Sequence, residues 1–476
     1  MSQQQSVVKS FIWKASERIM VQGFGLIVQI VLARLLMPED FACLAIITAI
    51  VNYLGIFVQS GLSVAVVQKR DLTITDVATL TSISLSTALL MYIGLFFASP
   101  FISNYYGVGD LVWPIRVMGL SLFLFAINSI QTGLLQRKMM FRSIFFRSLI
   151  ATPLSGIIGI AMAYMGFGVW ALIAFNLSHI LAIVVFMNMI PEIRLRLGFS
   201  LKSAKELYSF SLKILVTSLV SAGGDTVRTL TIGKFYNSRQ LAYFERGLSY
   251  SALITQVVNA SLSSVLLPVL SRSQDDMNQL RAFARKSVGI SSFLMIPILA
   301  MVAVLSKPLV LIVLSQKWLP CAVYLSLFCL LRIPGIITAI DKQVYYALGM
   351  SQIGLYYEIC LLAANLCSLI VMVRYGVLAI AINFVVIEYL GNFALLVISS
   401  RVYKYSMLNR LGDMYKPIMN ATIMVLVMYS LSFAIENVYV LFFSQLLIGF
   451  LTYTIMAIIT KDNNLIFIMS KLNNRL

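Results

Sequence analysis

Apolar runs of about 20 residues recur along the whole of this chain, and no other feature restricts its fold so severely. Each is long enough to cross roughly 30 Å of hydrocarbon as a helix, the form that satisfies every backbone N–H and C=O within its own segment. They lie near 11–36, 41–67, 77–99, 111–135, 143–164, 168–190, 207–235, 241–268, 284–305, 321–348, 353–373, 377–400, 417–435 and 438–460. The stretch 306–320 is open to a re-entrant reading. A β-barrel is excluded, because barrel strands alternate over about ten residues. With 60% apolar and 11% charged residues, the chain reads as an all-α polytopic membrane protein of about fourteen transmembrane helices.

The order of the helices carries an internal echo. Ala33-Arg34-Leu35-Leu36 lies against Gly233-Lys234-Phe235-Tyr236, Phe41-Ala42 against Leu241-Ala242, and Gly61-Leu62-Ser63 against Ser261-Leu262-Ser263. A second echo sets Gly168-Val169-Trp170-Ala171 against Gly376-Val377-Leu378-Ala379. Two echoes in the same order, at nearly the same spacing, predict two pseudo-symmetric six-helix lobes. We place these at 1–200 and 201–408, with two additional helices and a tail in 409–476. The connection 191–206, with Pro191 and Gly198, is the expected inter-lobe linker. Duplicated halves are the usual build of a secondary transporter.

A net charge of +18 raises the question of nucleic acid, and the distribution of charge answers it. Most of the basic residues collect on one side: Lys9, Lys14, Lys69, Arg70, Arg137, Lys138, Arg142, Arg147, Arg194, Arg196, Lys202 and Lys205 up to the end of the linker. Arg272, Arg281, Arg285, Lys286, Arg401, Lys404, Arg410, Lys416, Lys461, Lys471 and Arg475 join them further along. The other side holds Arg34, Lys234, Arg239, Lys307, Lys317 and Arg374. This is a positive-inside pattern with both termini cytoplasmic, so anionic lipid rather than nucleic acid is the expected partner. The polar start MSQQQSVVKS and the length of the first apolar run argue against a cleaved signal peptide.

Enzymatic chemistry finds little to work with. Cys43, Cys321, Cys329, Cys360 and Cys367 fall in apolar segments without a CxxC pair, and His179 is the one histidine. Zinc sites and Ser-His-Asp triads cannot be assembled, and no P-loop or soluble nucleotide-binding domain is present. No cofactor and no metal are expected.

Charges inside the apolar segments carry the functional argument, since an ionised side chain at mid-bilayer costs several kcal/mol and normally faces a polar interior. The basic ones are Arg18, Arg116, Lys213, Arg228, Arg246, Arg332 and Lys342; the acidic ones are Glu17, Asp225, Glu245, Asp341, Glu358 and Glu388. Some have ordinary explanations. Lys213 can snorkel, Asp225 and Arg228 can pair three residues apart on one helix, and Arg116 sits near the interfacial Trp113-Pro114. Arg332 is the hardest to dismiss, mid-helix, followed by Pro334-Gly335, with no acid within a turn. Arg332, Arg18 and Arg246 are the first candidates for binding an anionic substrate, with Arg228, Lys342 and Arg116 behind them. Guanidinium forks favour phosphate or pyrophosphate. Asp225, Asp341 and Glu358 are the candidate ion-coupling residues. Pro153, Pro297, Pro334, Gly23 and Gly25 interrupt helices where bends or hinges are expected.

Family resemblance enters through short motifs. Ala33-Arg34-Leu35-Leu36-Met37-Pro38-Glu39-Asp40-Phe41 resembles the ARLLxPxDFG signature of Wzx-type polysaccharide flippases. Gln59-Ser60-Gly61-Leu62 with Val66-Val67-Gln68, Gly166-Phe167-Gly168-Val169-Trp170-Ala171-Leu172 and Gln316-Lys317-Trp318 are similar to further stretches of that family. Ala42 and Gln316 stand where the pattern has glycine. The resemblance covers nearly the whole chain and implies a member of the polysaccharide transporter family, in the superfamily of MATE antiporters and the MurJ flippase. It implies two six-helix lobes around a cationic cavity in the bacterial cytoplasmic (inner) membrane. It further implies alternating-access flipping of an undecaprenyl-pyrophosphate-linked oligosaccharide for O-antigen, capsule or exopolysaccharide synthesis. A polysaccharide polymerase and glycosyltransferases would be partners. The alternatives are a MATE-like multidrug exporter and, in another class, a membrane enzyme acting on the same lipid-linked sugars.

Overall fold

The computed structural model describes residues 20–466, apart from 60, 70, 108–110, 273–275 and 463. Within the described residues, every apolar run of the sequence becomes a helix. In chain order these are α1 (Met20–Leu35), α2 (Pro38–Gln59), α3 (Leu62–Gln68), α4 (Ile74–Tyr106), α5 (Val112–Gly119), α6 (Ser121–Arg137), α7 (Phe141–Tyr164) and α8 (Val169–Asn188). They continue as α9 (Leu201–Phe235), α10 (Ser238–Arg272), α11 (Met277–Val313), α12 (Cys321–Ala347), α13 (Ser351–Met372), α14 (Val377–Val402), α15 (Met407–Ala434) and α16 (Val438–Ile459). Two predicted spans are jointed, α2 with α3 around left-handed Gly61, and α5 with α6.

Among the described residues, eleven spans are long and apolar enough to cross a membrane, and the described part of α1 is a shorter apolar helix. The chain is an all-helical polytopic membrane protein. Helices α9 and α10, which carry Asp225, Arg228, Glu245 and Arg246, are continuous helices of 35 residues each. The stretch 306–320 is not re-entrant. Helix α11 runs on through Pro308 to Val313, and a single tight turn at Gln316–Trp318 leads into α12.

Helix ends are set by local chemistry. Thr73 and Asp76 form a reciprocal capping box at α4, with Asp76 N donating to Thr73 Oγ1 at 3.1 Å and Thr73 N to Asp76 Oδ2 at 2.9 Å. Asp276, Ser406 and Asn437 cap α11, α15 and α16 in the same sense.

The chain divides into two compact units, residues 1–242 and 243–476. In the first, α7 packs on α8, α3 on α6, and α4 on α5 and α6. A Cβ at Gly133 of α6 would lie 2.8 Å from the Ser63 carbonyl, so the approach of α3 requires glycine there. Helix α9, which the repeat boundary allots to the second lobe, packs along α2 and α3; Ile46 meets Gly233 and Ile214 meets Gly61. The linker preceding α9 lies extended on α4, its Gly198 and Ser200 amides donating to Ser82 Oγ at 3.2 Å and Thr79 Oγ1 at 3.1 Å.

In the second unit α11 is central, packing on α12, α15 and α16, while α12 packs on α14 and α14 on α13. Arg285 of α11 grips Asp413 of α15 through two hydrogen bonds of 2.8 and 2.7 Å. Tyr405 OH adds a third, of 2.6 Å, to the same carboxylate. The two helices beyond the twelve-helix core are therefore built into this unit.

Candidate functional site

In the first unit, Arg228 and Asp225 form an ion pair on one face of α9. The guanidinium is 6% exposed and the carboxylate 70%, so the pair points from the packed interior toward an open surface. Arg116 packs against two aromatic rings. Its guanidinium lies 3.9 Å from the Phe96 ring centre and 5.3 Å from that of Trp113, and its Nε donates to Ser99 Oγ at 3.0 Å. Arg18 lies outside the described residues.

In the second unit, Arg246 of α10 is half-buried near Tyr250 and Cys321. Arg332 is half-buried on α12, close to Cys329. Lys342 pairs with Glu358 across the α12–α13 hairpin, its ammonium 5.5 Å from the Tyr357 ring centre.

Asp341 is fully buried and engaged at both oxygens. Tyr403 OH donates to Oδ1 at 2.5 Å, while Arg410 and Ser399 Oγ donate to Oδ2 at 2.8 and 3.0 Å. Arg410 also donates to Tyr403 OH at 2.8 Å, and Tyr345 OH shares a 2.7 Å hydrogen bond with Ser399. Arg410 is 1% exposed, although its sequence position suggests a cytoplasmic, topogenic arginine. Burial pushes the phenols of Tyr403 and Tyr405 up, which keeps both protonated as donors to Asp341 and Asp413. Breaking a buried pair of this kind leaves an uncompensated charge, and here both Asp341 oxygens are engaged while Arg410 Nε is buried without a hydrogen-bond partner among the described residues.

These contacts belong to a polar seam between α12 and α14. Tyr389, Asn392 and Ser399 of α14, with Tyr403 just past its end, reach successive turns of α12, at Leu330, at Pro334 with Thr338, and at Asp341. Beside the seam lie two cavities that share Ala300, Leu330 and Val425. One, of about 430 Å³, runs past Ile333, Pro334, Tyr389, Asn392 and Met414; the other, of about 830 Å³, opens by Lys307, Tyr429, Phe433 and Glu436. Their walls are mostly aliphatic and aromatic. Among the described residues no cluster of metal-ligating side chains is found.

A family profile described as "Polysaccharide biosynthesis protein" matches residues 31–323. The chain belongs to this family. Its relatives include the succinoglycan biosynthesis transport protein ExoT of Rhizobium meliloti, 24% identical over 73% of this chain and 70% of that one. Teichuronic acid biosynthesis protein TuaB of Bacillus subtilis is 20% identical over 80% of each. Lipopolysaccharide biosynthesis protein WzxC of Escherichia coli is 20% identical over 69% of this chain and 67% of that one. The fold is that of the lipid II flippase MurJ, with a TM-score of 0.78 at 19% identity over 95% of this chain and 99% of the other. An inward-facing MATE multidrug transporter aligns with a TM-score of 0.62 at 15% identity, over 83% of this chain and 99% of that one.

This polysaccharide-biosynthesis flippase family is one of transporters, not enzymes. Its motif residues serve as corners of the fold. Asp40 accepts the Met37 amide at 3.0 Å, and its other oxygen would lie 2.9 Å from a Cβ at Gly168, which adopts φ +53°. The signature aspartate and the GxGVWAL glycine thus meet. In the second unit Trp318 is fully buried against Tyr243, whose hydroxyl donates to the Lys317 carbonyl at 3.0 Å.

Proposed function

We propose that this transporter flips an undecaprenyl-pyrophosphate-linked oligosaccharide across the bacterial cytoplasmic membrane by alternating access, for assembly of a surface polysaccharide. The observation that carries the reading is the juxtaposition on α12 of an apolar groove and an intramembrane arginine. Ile333, Pro334 and Ile337 line the groove, while Arg332 sits in the same turn. An isoprenoid chain is long, apolar and flexible, and it suits cavities walled by aliphatic and aromatic side chains on α11, α12, α14, α15 and α16. A pyrophosphate offers several oxygens to guanidinium groups, and in this unit Arg332 and Arg246 are the groups we assign to it; Arg228 and Arg18 are the sequence candidates of the first unit. Lys342, which pairs with Glu358, and Arg116, which donates to Ser99, complete the set. The distribution of Lys and Arg supports a cytoplasmic position for both termini.

For coupling, Asp225 is the most open of the three acidic candidates, and Glu358 is held by Lys342. Asp341, enclosed and charge-paired, serves the architecture of the unit.

Native mass spectrometry of the purified protein with undecaprenyl pyrophosphate tests the assignment. Arg332→Ala should weaken retention of the lipid by about ten- to a hundredfold, the loss expected for hydrogen bonds to a charged group. Equal retention of undecaprenyl pyrophosphate and uncharged undecaprenol by the wild type would contradict it.

A further inference from the structure

A proline inside a helix has no N–H to donate, so the carbonyl four residues earlier loses its partner. In three helices that carbonyl is met by a side chain. Pro100 of α4 frees Phe96 O, which accepts Ser99 Oγ at 2.8 Å and Arg116 Nη2 at 3.4 Å. Pro297 of α11 frees Phe293 O, which accepts Tyr453 OH of α16 at 2.8 Å. Pro334 of α12 frees Leu330 O, which accepts Tyr389 OH of α14 at 3.1 Å.

We propose that Tyr389 is a positioning residue for Arg332: its phenol replaces the amide hydrogen bond that Pro334 cannot make, and so fixes the turn that carries the guanidinium. The inference rests on the reading of Arg332 as a substrate-binding group. Arg332 lies between Leu330 and Pro334, inside the turn of α12 whose missing backbone bond is replaced from α14. The lower edge of the same turn is also held from α14, where Asn392 Nδ2 donates to Pro334 O at 3.1 Å and to Thr338 Oγ1 at 2.9 Å. Thr338 Oγ1 in turn donates to Pro334 O at 3.3 Å. Two side chains from one helix therefore span the break in its neighbour.

The position of these donors ties them to the groove. Leu330, Pro334, Tyr389 and Asn392 all line the cavity of about 430 Å³, so an apolar chain lying there touches the groups that set the turn. Binding at the groove and the orientation of Arg332 thereby share one small set of hydrogen bonds. Tyr453 provides an internal comparison. It makes the same kind of bond on α11, but residues 294–296 between Phe293 and Pro297 are Leu, Met and Ile, with no charged group to orient.

Amide hydrogen exchange on the full-length protein, resolved over residues 331–338, reads the proposal without reference to transport. Tyr389→Phe should raise exchange there by about three- to tenfold, the range expected for one net hydrogen bond. In a Pro334→Ala background the restored backbone amide can donate to Leu330 O, and Tyr389→Phe should then have no further effect. Unchanged exchange, or an equal rise in both backgrounds, overturns the proposal. Tyr453→Phe should loosen α11 near 293–297 and leave 331–338 as it was. Should Pro334→Ala fail to accumulate, that comparison decides, and an equal response of 331–338 to both tyrosine variants overturns the assignment. In cells, Tyr389→Phe should reduce polysaccharide export toward the level of Arg332→Ala, whereas Tyr453→Phe should not. If Arg332→Ala blocks export and Tyr389→Phe does not, the positioning role fails. If the exchange results hold but neither variant affects export, the positioning stands and the substrate role of Arg332 fails.

Discussion

Arg410 and Asp341 show how far a residue's meaning depends on what packs against it. Removing one partner of a buried ion pair leaves an uncompensated charge and costs about 3–5 kcal/mol, whereas apolar replacement of both can be neutral or stabilising. Arg410→Met should therefore sharply lower the thermal unfolding midpoint, and Asp341→Leu added to it should recover most of the loss. A single variant no less stable than the double would contradict a paired, buried Arg410. The sequence gives Arg410 the look of a topogenic arginine, because Lys404 and Lys416 flank it and its partner lies in another helix. Asp225 with Arg228 is legible from spacing alone, since three residues on a helix share a face. The Lys342–Glu358 and Tyr389–Leu330 contacts are not, because each needs the register of two helices. A reader of the sequence can know that Pro334 frees the Leu330 carbonyl; which side chain answers it is decided by tertiary packing.

At the scale of helices, legibility is much higher, for a physical reason. Whether a segment crosses a bilayer depends on its own length and apolarity, both local properties. Even α9 and α10, whose charges dilute their hydropathy, keep the helical form and the predicted positions. What local pattern does not fix is how closely two helices approach. At Gly247 of α10, an added Cβ would lie 2.7 Å from Tyr324 Cβ and 2.8 Å from the Leu325 backbone nitrogen of α12. The backbone atom cannot step aside, so Gly247→Ala should cost about 1–3 kcal/mol by overpacking, read as a lower unfolding temperature in detergent. An unchanged midpoint would mean that α10 and α12 do not cross this closely. Helices α15 and α16 likewise owe their place to specific contacts, Arg285–Asp413, Asp341–Arg410 and Tyr453–Phe293, which lock them to α11 and α12 and leave a groove beside them.

For the molecule as a whole, membership of the polysaccharide biosynthesis family and the MurJ-like fold define the class of protein, and the proposed chemistry lies in the alignment of groove and arginine on α12. The central claim is that a lipid-linked oligosaccharide crosses the membrane here with its pyrophosphate on Arg332. The most direct measurement is extraction and mass analysis of undecaprenyl-linked sugars after deletion of the gene, with complementation by wild type and by Arg332→Ala. The account predicts accumulation of a complete lipid-linked repeat unit on the cytoplasmic side, relieved by the wild type and not by the variant. Unchanged lipid intermediates together with altered drug sensitivity would contradict it and assign the protein to multidrug export.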